Sequence, residues 1–526
     1  MDSTHPPLVR TRLSIMMLLE FFIWGSWGVT LAGYSDNLGF TGAQHGWLMS
    51  TTAIGAIIAP LIVGLIADRF FAAQRVLCVL HVIAGACLIA AGYVGANFED
   101  KFSILMTLML LNGLFFFPTL ALCNAVAFKH IPDASKFPRI AMFGTIGWII
   151  AVLLAEAFLG GMKESLFLYQ GGAAGILLGL YCLTLPNTPP KGAEAGADVF
   201  GLSALKLLKE PSFLIFIVCV FLVSIPAVGY FFGLVGPMLQ QRDYPSPLGL
   251  STLCQFAEVA FMFTMPWFVA RIGLKRVLMI GMAAWGIRYV CFAFTGLPEG
   301  GFALAVVGLI LHGFCYSFLY VGSYMYIDSR APEDLKASAQ GLLTFLLIGV
   351  GMFLGAQGSG FMKGKFAADI PGMPAVKVST DEEIKSAALP TWNAPKADAS
   401  ALDYLDLAGT VKKWRGIKEE AAPDLSELFD ANEDGTITLA EINDFADPEF
   451  VLGGMKYKKD DLATVFTNAH KKLGISESEG LARKDWLAVQ VNKWQPIWLW
   501  PSIYIFVIFV FFTFAFRDKE AGKQEA

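Results

Sequence analysis

Apolar residues in this chain gather in long unbroken runs, not in the three-to-four spacing of a helix that is wet on one side. Runs of about 20 mostly apolar residues, enough to cross a bilayer core as a helix, fall near 13–34, 42–67, 76–96, 103–128, 138–160, 165–185, 212–236, 248–270, 276–296, 302–327, 338–362 and 496–516. A helix closes its own backbone hydrogen bonds, so runs broken by Pro60, Pro118, Pro226 or Pro266 still read as spans. The pattern predicts an all-α membrane protein with twelve transmembrane helices. The first run follows Arg10 and Arg12 but is too long for a secretory core and lacks a small-residue cleavage site, so it is expected to be retained.

Polar residues between the runs divide the chain. A linker at 187–211, opening with NTPPKGAEAGAD, separates a six-helix half, 1–186, from helices seven to eleven, 212–362. A second polar stretch, 363–495, precedes helix twelve and a short tail, 496–526. Basic residues concentrate at the N-terminus, in the even-numbered loops and at the C-terminus, which places both termini in the cytoplasm and 363–495 outside. The expected location is a plasma membrane, the inner membrane in a bacterium, with lipid as the surroundings. After Pro60 comes GLIADRFFAAQRVL, and after Pro266 comes WFVARIGLKRVL. Both set a basic turn between the second and third helices of a half, the mark of a duplicated carrier built around a mid-membrane site.

Composition agrees: 55% of residues are hydrophobic, 16% are charged, and mean hydropathy is +0.57. With a net charge of -5, no basic face for nucleic acid is expected. The eight cysteines lie at irregular spacings inside apolar runs and read as packing residues. No nucleophile-base set stands out, so no enzyme is expected, and nothing implies an obligate protein partner.

The outer segment contains DANEDGTITLAE, 430–441. This is the spacing of an EF-hand calcium loop, in which hard oxygens surround the ion and a bidentate carboxylate closes the shell. Asp430, Asn432, Asp434, the Thr436 carbonyl, Thr438 and Glu441 supply the ligands, Gly435 the turn, and Ile437 the link to a partner strand. A small helical domain is expected, with residues 460–489 as a second hand that binds no ion and Leu481 as its buried apolar position. Calcium outside the membrane reads as a structural staple.

Ionisable residues within spans are costly, at least ~2.5–3.5 kcal/mol if unpaired, and mark function. Gln255 and Glu258 are three residues apart, hence on one helical face. Held in a dry pocket, Glu258 takes up and releases a proton as water access alternates; its competing role is a partner for a base such as Arg288. Glu20 is a second proton candidate, with an interhelical lock as its alternative. His81 and His312 read as neutral packing residues. Gly351 and Gly355 form a close-packing GxxxG face, and Trp494, Trp498 and Trp500 are expected to anchor helix twelve at the interface.

GLIADRFFAAQR (64–75) resembles the signature loop of the major facilitator superfamily, which implies two six-helix halves and a gating role for Asp68, Arg69 and Arg75. FFIWGSWGVTLAGY (21–34), FGTIGW (143–148), CQFAEVAF (254–261), RIGLKRVLMIGMAAWGIRY (271–289) and ASAQG (337–341), in that order, resemble the nucleoside:proton symporter family. The resemblance spans both membrane halves and excludes the outer insertion. It implies proton-coupled nucleoside uptake, with Gln255 and Glu258 lining the cavity. The family's Arg before the Gly-Thr-Ile-Gly turn is replaced by Ala141, with Arg139 two positions earlier. Its Gln and Asn in helix seven fall on Ala227 and Tyr230, and its helix-ten acid falls on Ser317. What remains near the expected cavity is aromatic: Trp24, Trp27, Phe143, Trp148, Tyr230, Tyr316 and Tyr320. Such faces suit a flat base or a sugar ring. A proton-coupled carrier of sugars or another small polar metabolite therefore stays open, and from another class, a calcium-responsive sensor that no longer transports.

Overall fold

The structure, a computed structural model, describes residues 8–62, 71–98, 101–131, 137–189, 202–242, 244–297, 300–333, 335–366, 425–452 and 455–517. Asp68 and Arg69 lie outside the described residues. Among those described, ten helices are long and apolar enough to cross a membrane, and they coincide with ten of the twelve predicted segments. The other two segments are helical over Gly42–Ile62 and Leu166–Cys182.

The first half runs through α1 (Val9–Trp27), α2 (Thr30–Asn37), α3 (Gly42–Ile62), α4 (Ala73–Asn97), α5 (Phe102–His130), α6 (Pro138–Phe158) and α7 (Leu166–Cys182). In it α1 packs on α6 and α7, and α4 on α5 and α7. The second half comprises α8 (Pro211–Tyr230), α9 (Gly236–Gln241), α10 (Pro247–Ser251), α11 (Leu253–Ile272), α12 (Leu274–Ala293), α13 (Gly301–Ile310), α14 (His312–Phe314), α15 (Gly322–Arg330), α16 (Lys336–Thr344) and α17 (Met352–Phe366). Three π-helical turns, Phe231–Val235, Cys315–Val321 and Phe345–Gly351, join pieces of this half.

Between helices in lipid the hydrophobic effect offers no net gain, so close backbone approach at small residues carries the packing. A Cβ on Gly85 of α4 would lie 2.6 Å from the Gly172 carbonyl of α7, and one on Gly229 of α8 would lie 2.5 Å from the Ala356 amide of α17. The predicted Gly351 and Gly355 face meets Ser224, Ile225 and Gly229 of α8. On the outside of the bundle Phe263 is 78% exposed and Phe514 79%, an apolar surface of the kind that lipid covers.

The polar segment holds α18 (Leu425–Phe429), β1 (Thr436–Ile437), α19 (Leu439–Asp444), β2 (Glu449–Leu452), β3 (Met455–Lys458), α20 (Lys459–Leu473) and β4 (Leu481–Ala482). It then enters α21, an unbroken helix over Arg483–Ala515 that becomes the last apolar helix. Phe429, Ile437, Ile442, Leu462, Phe466 and Leu481 form its small core. Ile437 pairs with Leu481 across antiparallel β1 and β4, which supplies the partner strand expected for Ile437 and buries Leu481 as expected. The β2–β3 hairpin is an addition to the helical domain expected there; EFVL and MKYK carry the aromatic and branched residues that favour strands. Trp494 and Trp498 are buried, and only Trp500 is exposed as an interfacial anchor would be. Trp498 packs on Tyr289 and Phe292 of α12, and Trp494 donates to Gln241 at 2.9 Å.

Candidate functional site

A band of rings crosses from one half to the other. Trp24 on α1 stands 5.4 Å from Trp148 on α6 and stacks on Phe232, in the π-turn after α8, at 6.0 Å. Phe232 meets Phe231 at 5.0 Å, Phe231 stacks on His312 at 4.8 Å, His312 stacks on Tyr316 at 6.2 Å, and Tyr316 on Tyr320 at 5.8 Å. Phe231 and Phe232 lie in the π-turn Phe231–Val235, and Tyr316 and Tyr320 in the π-turn Cys315–Val321. An extra residue in a helical turn shifts every following side chain, and such turns recur at functional sites.

Not every expected residue joins the band. Trp27 packs on Phe116 within the first half. Tyr230 contacts Tyr289 and Trp498 inside the second half. Phe143 is half-buried on α6. Ser317 is buried and donates to the Glu258 backbone carbonyl at 3.2 Å. Arg139 and Arg75 are exposed, so Arg139 does not stand in for the Arg whose place Ala141 takes.

Glu258 sits on α11, three residues after the buried Gln255. The exposed apolar row of that helix is Phe256, Phe263 and Trp267. Two residues turn a helix by about 200°, so Glu258 lies opposite Phe256, while Met262, one turn further on and on the face of Glu258, is also exposed. Glu258 is half-buried, and its carboxylate has no hydrogen bond or ion pair among the described residues. Arg288, its suspected partner, is engaged elsewhere. The fully buried guanidinium lies 2.9 Å from His312 Nδ1, donates to Cys254 Sγ, and sits over the Phe231, Trp285 and Phe292 rings. An Arg always donates, so His312 Nδ1 accepts. The remaining proton of the neutral ring is then on Nε2.

Glu20 has the opposite setting. Its carboxylate accepts from Thr119 at 2.7 Å and Cys123 at 3.3 Å, and meets His81 Nε2 at 2.9 Å, all buried. Glu20, His81 and Cys123 are the described trio of His, Cys, Asp or Glu residues whose ligand atoms fall within 4.8 Å of one another. Each oxygen of that carboxylate accepts one hydrogen bond, from Thr119 or from Cys123.

In the polar module, Asp430 accepts from the Gly435 amide at 3.0 Å, Asn432 from Asp434 at 2.8 Å, and Asp434 from the Thr436 amide at 2.8 Å. Burial pushes the Asp430 carboxyl up, and the Thr436 hydroxyl holds Asp434 down. Thr438 caps α19 and bonds Glu441 Oε2 at 2.8 Å, leaving Glu441 Oε1 buried without a partner. That orphaned oxygen suits a hard cation, and so do the oxygens lining the loop.

The sequence reading missed Phe232 and assigned His81 and His312 to packing. The usable signal for the histidines was that each shares the membrane core with an ionisable residue, Glu20 or Arg288. Phe232 left none, because a π-turn cannot be seen in a run of apolar letters.

Two helical halves meeting along a ring-lined interface have the fold of transporters of the major facilitator type. The family model described as "Nucleoside H+ symporter" matches residues 8–377. The chain belongs to that family, one of transporters and not of enzymes. It is 39% identical to YegT of Escherichia coli (strain K12), covering 68% of this chain and 85% of that protein. It is 34% identical to the xanthosine permease of the same organism, covering 69% and 89%. The crystal structure of the nucleoside transporter NupG superposes with a TM-score of 0.62 at 28% identity, covering 68% of this chain and 92% of that one.

Proposed function

We propose that this carrier takes up nucleosides together with protons by alternating access, rocking two six-helix halves of a twelve-helix body about the ring-lined interface. Glu258 is the coupling acid. The observation that carries this reading is its half-buried carboxylate, left without a partner among the described residues while Arg288 is bound to His312. An acid not committed to a base is free to trade its proton when water reaches it. Glu20 is the second proton candidate, with His81 as the group that shares its proton. Gln255, Trp24, Phe143, Tyr230, Tyr316, Ser317 and Tyr320 line or back the solute site, and Trp27 supports it. His312 presents Nε2–H as a fixed donor to a base carbonyl, in a chain whose Arg and acid contacts are replaced by Ala141 and Ser317. Asp68, Arg69 and Arg75 are the gating residues of this reading.

The segment between α17 and α21 lies outside the membrane and both termini in the cytoplasm of the cell that carries it in its plasma membrane. Asp430, Asn432, Asp434, Thr436, Thr438 and Glu441 hold calcium as a staple for the outer module. Support comes from the loop spacing and the orphaned Glu441 Oε1.

The test is uptake of labelled uridine into proteoliposomes with an imposed pH gradient. Accumulation that needs the gradient, and is lost in Glu258→Gln, supports the reading. Gradient-driven accumulation that survives Glu258→Gln contradicts the role of Glu258. Accumulation of a sugar in place of every nucleoside contradicts the substrate class.

A further inference from the structure

The hydrogen bonds that join the two halves gather at one end of the molecule. Asn37 and Gln240 bond there, as do Ser50 and Gln357. Among them lies an ion pair. Lys363 of α17 places Nζ against Asp36 Oδ1 at the end of α2, with Lys363 only 7% and Asp36 5% exposed. Gln241 of α9 donates to the other Asp36 oxygen at 3.3 Å. His45 of α3 is fully buried, with Nδ1 3.3 Å from Lys363 Nζ, 3.9 Å from Asp36 Oδ1 and 2.7 Å from Ser35 Oγ. The anion and the imidazole thus belong to the first half and the cation to the second.

The packing around the pair is backbone against backbone. A Cβ on Gly42 would stand 2.6 Å from the Gly364 amide, and one on Gly360 would stand 2.7 Å from the Gly46 amide. No water fits between α3 and α17 at that spacing. Two charges taken from water into such an interface recover their solvation only while they stay together. If the halves part at this end, both charges hydrate separately and the interface glycines lose contact. The pair therefore acts on one of the carrier's two states and not on the other, which is the requirement for setting a conformational equilibrium.

We propose that Asp36 and Lys363, cupped by His45, form a latch that keeps this end of the carrier shut, and that its charge pairing sets the fraction of molecules open there. These residues serve transport without touching the solute. The inference rests on the alternating-access reading above.

The test uses the full chain in nanodiscs, with Cys78, the one half-buried native cysteine, replaced by Ser. Spin labels go on cysteines at Asn97, which ends α4, and at Leu297, beyond α12; both positions are exposed and at the latched end. Distances are recorded for the otherwise unaltered protein, Asp36→Asn, Lys363→Met and the double variant. The latch predicts a dominant short distance in the unaltered protein and a gain in the long-distance population of about tenfold or more in each single variant, where one buried charge is stranded. The double variant strands no charge, so it reports even if a single variant folds poorly, and its shift should fall well short of the product of the two. Two distances whose ratio none of the variants moves would overturn the latch and leave alternating access standing. One unchanging distance in every variant, with and without uridine, would overturn both.

Discussion

Glu20 Oε2 lies 2.9 Å from His81 Nε2 in the first half, both side chains wholly buried, whereas the Glu258 carboxylate in the second half meets no partner. The two acids sit in similar apolar runs and are indistinguishable by local sequence. Their surroundings give them different work.

Removing one member of the enclosed pair leaves the other stranded. His81→Ala is expected to lower stability by about 3–5 kcal/mol, the usual cost of breaking a buried pair from one side. The thermal midpoint of the purified carrier measures it, and a midpoint within a degree of the unaltered protein would show that Glu20 does not depend on His81.

The stacked Trp24 and Phe232 rings are contributed by opposite halves. Phe232→Ala is predicted to weaken uridine binding by about tenfold, in line with ~0.5–1.5 kcal/mol for an aromatic pair plus the lost ring area. Equilibrium binding by calorimetry reads this directly. Unchanged affinity would remove Phe232 from the solute site.

Backbone contact leaves no allowance for side chains at the helix crossings. Gly229→Val puts a β-carbon where the Ala356 amide already stands, 2.5 Å away, and is expected to cost at least about 1–3 kcal/mol by overpacking. Gly300→Ala, with nothing within 4 Å of its added carbon but φ at +83°, should instead cost only what its left-handed backbone demands, about 1 kcal/mol. Comparing the two midpoints separates crowding from backbone strain.

Calcium should raise the midpoint of the outer module, and Glu441→Gln should remove that rise. Extracellular loops of this kind bind at about 10⁻⁴–10⁻³ M. At ten times the dissociation constant, preferential binding to the folded form contributes about 1.4 kcal/mol. Transport is expected to be unaffected. A midpoint indifferent to millimolar calcium would sink the staple.

How much of this was legible beforehand follows the physics. Spans are set by composition over about 20 residues, so their positions came through in the apolar runs, and the ten long apolar helices fall on ten of them. That Ile437 meets a partner strand and that Leu481 is buried were legible, because the spacing of 430–441 fixes which residue faces that strand. Long-range partners were not. Arg288 was named only as a candidate partner of Glu258, and only the fold shows it turned to His312, 24 residues on. Lys363 fell at the predicted boundary of the outer segment, and its pairing with Asp36 depends on α17 running to Phe366 and meeting a helix more than 300 residues earlier. Trp494 and Trp498 read as interface anchors because tryptophan at the end of a span usually is one; here α21 turns them inward against α12 and α9.

Proton movement during solute movement tests the central claim most directly. Carrier is sealed in vesicles with a pH-sensitive dye inside, at equal pH on both sides, and uridine is added outside. The account predicts acidification of the lumen in step with uridine entry, and in Glu258→Gln uridine exchange without any change in dye signal. Acidification by Glu258→Gln equal to that of the unaltered carrier would contradict it.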